Sequence, residues 1–483
     1  MIDFSIKFIS SRPQHTKERE NLQSLLFDYE SDRGRIINSA AVRRLQQKTQ
    51  VFPLERNSAV RSRLTHSLEV QQVGRFIVQS IFNQLDEEKQ LEYKLEGLDR
   101  HIESIVEMSC LMHDIGNPPF GHFGEQAIND WFNKNLSNTI LSMEESNLSL
   151  DESLNRDICN FEGNAQAVRL IHSLLRLNLT YSQVAGILKY TRCGTEVKPE
   201  KDAPLSYLKK KVGYYFSEKK YIGTLCDKLN MQVGHRHPAS YIMEAADDIS
   251  YCLADLEDAV EKGILDIKQL REVLLSEYKI SLNQFKLDTD GSKLESALEK
   301  AVEAANNDDI CQNSQFFIAL RVGITHPLVK HAVKRFIDNI SAVYQGSFNE
   351  ALLEDNSHAH AVTEAFKSVA IKYVFCHKEV EGRELQGYKI ITGLLDCYQP
   401  LLKLNRAEFE IVAEQKKEAG LLEGRLFKKL PSKHVRAYKH SVKTVNDEHE
   451  FYYRCRLLQD YISGMTDQFA FDEYRALMVI DAC

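Results

Sequence analysis

The segment Met112-His113-Asp114-Ile115-Gly116-Asn117-Pro118-Pro119-Phe120-Gly121-His122-Phe123-Gly124-Glu125 sets an adjacent His-Asp pair nine residues ahead of a second histidine, which a carboxylate follows one helical turn later. An imidazole nitrogen beside a carboxylate oxygen suits a borderline or hard divalent cation. Such a cation polarises a phosphoryl oxygen or generates hydroxide near neutral pH. His122 and Glu125 read as a candidate proton-transfer pair. The segment therefore points to metal-assisted hydrolysis.

A bare His-Asp dipeptide carries little weight, because 16 histidines among 483 residues give roughly one such pair by chance. Context adds more. Ile105, Met108, Leu111 and Met112 recur at helical spacing, so His113 and Asp114 fall at the end of an amphipathic helix that Gly116 and Pro118-Pro119 then stop. A histidine there is more often a capping or packing residue, so the case rests on partners elsewhere. One is His66, which helical spacing puts on one face with Val70, Val73 and Ile77, pointing inward with the core. A buried neutral histidine needs a partner, and a cation is one. Another lies in the alanine-rich stretch from Pro238 to Asp255, a helix opened by proline, where Asp247, Tyr251 and Asp255 form a polar stripe at i, i+4 and i+8. Spacing alone would also allow a solvated stripe.

No Pro/Gly/Ser-rich linker divides the chain, strand signals are sparse, and helical periodicity recurs at Ala259 to Leu275, His331 to Ile340 and Glu364 to Val374. The fold class read from this is all-α, a large multi-helix unit with minor short strands, for instance within Val212 to Phe216. Polar stretches at about 133 to 156, 193 to 211 and 285 to 313 read as surface insertions. Ten cysteines lack CxxC or framework spacing, which disfavours zinc ribbons and disulfide scaffolds and fits a reducing compartment. With no signal peptide and no apolar run of transmembrane length, the expected location is cytoplasmic, with no membrane partner. A net charge of -8 argues against general nucleic-acid coating. Basic clusters remain at Lys209-Lys210-Lys211 with Lys219-Lys220, and at Lys428-Lys429 with Lys433 and Arg436.

Taken together the motifs resemble the HD-domain phosphohydrolases, and within them the bacterial deoxyguanosine triphosphate triphosphohydrolase (dGTPase) family. The family pattern of a single histidine, then His-Asp, then a distal aspartate is met by His66, His113-Asp114 and Asp247. Flanking blocks also resemble it: Ser31 to Ser39, Arg43 to Pro53, Phe161-Glu162-Gly163-Asn164-Ala165-Gln166, Ile187 to Arg192 and Tyr461 to Asp467. The resemblance spans nearly the whole chain. It implies one unit over 1–483, with an HD metal-site core at 58–260 and a helical C-terminal part at 261–483 that completes the substrate pocket and makes oligomer contacts.

The resemblance further implies a divalent metal ion, Mn²⁺ or Mg²⁺ with Co²⁺ or Fe²⁺ as alternatives, held by His66, His113, Asp114 and Asp247. Only one of Asp247 and Asp248 can face a ligand on a helix turning about 100° per residue. Asp247 is preferred because it matches the family position and shares a face with Tyr251 and Asp255. The implied reaction is hydrolysis of dGTP to deoxyguanosine and tripolyphosphate by water attack at the α-phosphate. His122 would serve as acid, base or in-line nucleophile, with Glu125 orienting it. Lys189 and Tyr190 match a phosphate-contacting pair, Tyr251 and Asp255 would flank the deoxyribose, Gln50 and Val51 would border sugar and base, and Glu384 and Arg425 would approach from the C-terminal half. The block Ser432 to Tyr438 departs most from the family at its basic positions. Single-stranded DNA, with stacking on Tyr214, Tyr215 and Phe216, and a homo-oligomer, tetramer or hexamer, complete the implied partners. Two other functions compete: an HD phosphohydrolase acting on another nucleotide, and a nucleotide- or DNA-sensing protein with an idle metal site.

Overall fold

Caps written into the sequence set the helices that matter most. At the Arg63–Gln84 helix, Ser62 Oγ accepts from Thr65 N at 3.3 Å and Thr65 Oγ1 accepts from Ser62 N at 3.0 Å. Two otherwise orphaned donors are thereby satisfied. Pro238–Glu261 begins with a proline, whose missing N–H costs nothing at the first helical position, and His237 Nδ1 accepts from Ala239 N at 3.2 Å. Asp99–Met112 ends where the glycine and prolines begin, with His113 as its C-cap.

In this computed structural model, residues 2–14, 21–55, 57, 59–143, 148–288, 293–308, 310–416 and 418–479 are described. Arg63–Gln84 packs against Asp99–Met112, and Pro238–Glu261 packs on both. Val70, Ile77, Ile105, Val106 and Ile249 are buried between them, each stabilising the fold by roughly 2 kcal/mol. The first two helices approach closely at Gly74, where an added Cβ would lie 2.7 Å from Cys110 Sγ. A second apolar cluster joins Gly121–Leu141 to Lys378–Tyr398 and Asp447–Ser463, and a third lies under Ile171, Val184, Tyr221 and Ala437. Each cluster draws on distant parts of the chain.

Among the described residues the sheet is two short parallel strands, Arg192–Cys193 and Val212–Tyr214, with Arg192 opposite Val212. The second falls where a strand is expected. Elsewhere the periodicity misleads. Ala259 to Leu275 is two helices, split by a turn at Gly263 (φ 71°) and a new capping box between Asp266 and Gln269. The stretch 285 to 313 contains the Lys293–Asn306 helix, whose Leu294, Leu298 and Ala301 are core residues packed on the Gln312–Asp338 helix. Its many charges hid an apolar stripe at helical spacing. Residues 133 to 141 continue the Gly121–Leu141 helix, and 144–147 and 289–292 lie outside the described residues. No described helix is long and apolar enough to cross a membrane.

Candidate active site

Three helices bring His66, His113 and Asp247 to one point. His66 is fully buried, and its Nε2 stands 3.3 Å from Asp247 Oδ1. His113 Nε2 stands 3.4 Å from the same oxygen. His113 Nδ1 lies 2.7 Å from the Cys110 carbonyl, which can only accept, so Nδ1 carries the proton and Nε2 presents its lone pair. The ligand atoms of the three residues lie within 4.8 Å of one another. Asp114 sits beside them: its Oδ1 is 3.6 Å from His113 Nε2 and accepts from Asn117 Nδ2 at 2.8 Å, while Oδ2 pairs with Arg63. Burial alone would raise the Asp114 carboxyl, but His113 and Arg63 outweigh it and hold it at about 2. Burial is likewise outweighed at Asp247, where His113, Lys189 and His66 keep the carboxyl ionised. Two imidazoles and ionised carboxylates form a donor set suited to a divalent cation. Asp248, one residue on, contributes nothing to this cluster.

His122 enters from a turn made of two left-handed residues, Phe120 (φ 63°) and Gly121 (φ 57°), at the start of the Gly121–Leu141 helix. Its side chain is 80% exposed and its Nδ1 lies 2.9 Å from Glu125 Oε2. Glu125 is buried, and its other oxygen accepts from Gly163 N at 2.8 Å. Only a glycine fits there, since a Cβ on Gly163 would lie 2.1 Å from Asn117 Oδ1. The hydrogen bond that His122 donates to Glu125 raises the affinity of His122 for its proton. Burial works against Glu125 ionising, yet His122 holds its carboxyl low. The ring is thus fixed through Nδ1, leaving Nε2 for proton exchange.

His113, Asp114, His122 and Asp247 border a cavity of about 300 Å³. Asp247, Tyr251 and Asp255 line it as the stripe seen in the sequence. Both oxygens of Asp255 are buried without a hydrogen-bond partner, as is Oε1 of Gln50. Burial pushes the Asp255 carboxyl up to about 7. Lys189 Nζ lies 3.4 Å from Asp247 Oδ2 and 4.0 Å from Glu244 Oε1, and Arg236 holds that segment by donating to the Lys189 carbonyl. Gln50 and Val51 reach the cavity because Asp467 anchors their neighbours: one of its oxygens accepts from Thr49 N and Oγ1 at 3.1 and 2.7 Å, the other from Phe120 N at 3.1 Å. Lys48 Nζ adds bonds to the Asn117 and Ser463 carbonyls.

His113, Asp114, His122, Gln50, Val51, Lys189, Tyr190, Tyr251, Asp247, Asp255 and Glu384 therefore share one cavity wall, with His66 and Glu125 directly behind it. Arg425 does not: it lies on the exposed side of the Leu421–Lys429 helix, away from the lining. Ten lining residues were not expected from the sequence as site residues, among them Arg63, Asn117, Asn164, Lys211 and Phe375. Asn117 had a signal, three residues after Asp114, and Lys211 belonged to a noted basic cluster. Its Nζ lies 3.3 Å from Glu162 Oε1. Phe375 ends a π-helix over Ala370–Phe375, for which periodicity has no signature.

Comparison with known proteins agrees with this geometry. The HD domain family matches residues 63–160. The chain is 52% identical over 496 residues to a probable deoxyguanosinetriphosphate triphosphohydrolase of Pseudomonas aeruginosa, with 99% of each chain covered. It is 50% identical to the deoxyguanosinetriphosphate triphosphohydrolase of Klebsiella pneumoniae and 48% to that of Yersinia pseudotuberculosis, again with 99% of each chain covered.

Proposed function

The chain belongs to the deoxyguanosinetriphosphate triphosphohydrolase family of HD-domain proteins, and from that premise we propose how its own residues hydrolyse dGTP to deoxyguanosine and tripolyphosphate. It is a metal-dependent phosphohydrolase. The observation that carries the residue assignment is that His122, backed by Glu125, lines the same cavity as His113 and Asp247, which cluster with His66.

His66, His113, Asp114 and Asp247 hold the divalent ion, with Mn²⁺ or Mg²⁺ the cations we favour. When bound, such an ion draws charge from a phosphoryl oxygen and makes water a better nucleophile. Charge supports the fit: even without Asp255, the carboxyls of Asp114, Glu162, Asp247 and Glu384 outnumber the cations Arg63, Lys189 and Lys211 around the cavity, so a polyphosphate needs further positive charge to enter. Lys189, Tyr190 and Lys211 grip the phosphate chain. Water oxygen bonds to the α-phosphorus, the P–O5′ bond breaks, and a proton passes to O5′. His122 Nε2 is the group that carries that proton, and Glu125 keeps the ring aimed. The orphaned Asp255 carboxylate accepts from the sugar 3′-OH, and the Tyr251 ring closes the space a 2′-OH would need. Gln50, Val51 and Glu384 border the sugar and base.

Incubating the protein with each dNTP and Mg²⁺ or Mn²⁺ and identifying the products tests this reading. Tripolyphosphate with deoxyguanosine as the preferred nucleoside is expected. Pyrophosphate or monophosphate would move the chain to another HD phosphohydrolase activity, and no turnover would make it a sensor. The described cysteines are all free thiols, which supports a cytoplasmic site of action. A tetramer or hexamer belongs to the same reading, supported by the exposed Leu68, Ile318 and Val322 on adjoining helices. Single-stranded DNA would have to use exposed basic residues, because Tyr214 and Tyr215 are buried and unable to stack on bases.

A further inference from the structure

Two helices, Lys219–Lys228 and Ser432–Ser441, bracket a second cavity of about 370 Å³, and each carries part of a basic cluster that catalysis does not use, Lys219-Lys220 on the first and Lys433 with Arg436 on the second. The rest of its described wall is the Leu170–Leu174 π-helix and the loop after it, together with Pro13, Gln14 and Ser217. We propose that this cavity is a second ligand site, built for a phosphate-bearing anion that Arg176, His440 and Ser441 hold by charge-assisted and hydroxyl hydrogen bonds.

Among the described residues the lining carries no carboxylate, in contrast to the catalytic cavity. Among the described residues no ion pair or hydrogen bond engages the Arg176 guanidinium. Its backbone is left-handed (φ 50°), an unfavourable conformation for arginine, and so is that of Asn178 (φ 51°), where asparagine tolerates it. Two other guanidiniums sustain that turn. Arg12 and Arg35 donate to the Asn178 carbonyl at 3.1 and 3.2 Å, and Arg35 donates to the Leu177 carbonyl at 3.0 Å. Those bonds hold the turn from its other side, and Arg176 borders the cavity. The π-helix is a second irregularity, of a kind that recurs at functional sites. It presents His172, whose ring stacks on Tyr221 at 3.8 Å with an interplanar angle of 11°. Behind the wall, Glu218 would repel an anion, but the Ser173 and Ser217 hydroxyls donate to it at 2.7 and 2.6 Å and Arg169 pairs with it at 3.1 Å. The Gly163–Arg169 helix runs directly into this π-helix, and its first amide is the one that holds Glu125. Occupancy of the second cavity therefore bears on the same helical rod as the catalytic pair.

The test is titration calorimetry with pyrophosphate on the full chain in chelated, metal-free buffer. One pyrophosphate per chain is expected to bind wild type and Lys189→Ala alike, and to bind Arg176→Glu at least about tenfold more weakly. His440→Ala gives a milder loss in the same direction. Both altered side chains are exposed, so the melting temperature stays put, and dGTP turnover without added anion stays within about twofold. A repeat with ATP separates the two sources of phosphate: tighter binding than pyrophosphate, lost in Arg176→Glu, identifies a nucleotide whose base meets the His172–Tyr221 ledge, and equal binding identifies a free polyphosphate. Wild-type affinity in Arg176→Glu, or loss of all binding in Lys189→Ala, overturns the proposal.

Discussion

His122 owes its chemistry to a single carboxylate. Because Glu125 is buried and spends one oxygen on Gly163 N, the other fixes the imidazole and raises its hold on the proton. Replacing His122 with alanine removes no ligand-type atom from the His66, His113 and Asp247 cluster. We expect His122→Ala to retain its metal by elemental analysis while kcat falls by about 10²- to 10⁴-fold. Full turnover in that variant would remove His122 from the mechanism. The neighbouring aspartates provide a second residue-level test. Asp247 touches both histidines, and Asp248 touches neither. Asp247→Asn should empty the metal site and Asp248→Asn should leave it filled, and equal metal content in the two proteins would refute the ligand assignment.

At the scale of elements, the site depends on a corner far along the chain. Asp467 begins the Asp467–Leu477 helix, yet its buried carboxylate ties the Thr49 strand of backbone to the Phe120 turn. Gln50 follows the first and His122 the second. An amide cannot accept on both sides, so Asp467→Asn leaves a donor facing a donor. We expect KM for dGTP to rise and kcat to fall together, by about tenfold each, with metal content and helical circular dichroism unchanged. An unchanged KM would show that the corner is only structural.

Across the whole molecule, buried neutral histidines couple stability to acid. His237 is fully buried, with Nε2 2.9 Å from the Lys7 carbonyl and Nδ1 accepting from Ala239 N. Burial lowers its pKa to about 4, and burial does the same for His172 and His434. The unfolded chain therefore binds these protons more readily. Stability is complete above the unfolded value of about 6.5 and declines as pH falls from there towards 4. For His237 the full effect is roughly 3 kcal/mol. Urea unfolding should show stability dropping between pH 7 and 5, with a shallower slope in His237→Asn, which keeps the cap acceptor and cannot titrate. Identical slopes would refute this.

The sequence by itself determined the kinds of chemistry and the local frames that carry them. Two histidines, two aspartates and the His122–Glu125 spacing were legible because they are local facts about side-chain type and helical period. So were the stripe of Asp247, Tyr251 and Asp255 and the proline opening of its helix. The fold class followed for the same reason, since apolar periodicity is written residue by residue. The Lys293–Asn306 helix was not read, because charges are interleaved with an apolar stripe made largely of alanine, and the π-helices have no period of their own to reveal them. Tertiary structure decided which of these groups meet. It joined three helices around Asp247, turned Asp255 and Gln50 into orphaned acceptors facing a cavity, brought Lys211, Asn164 and Phe375 to its wall, and left Arg425 outside. Those outcomes depend on contacts between residues up to hundreds of positions apart, such as Asp467 with Thr49, which packing selects and no local pattern encodes.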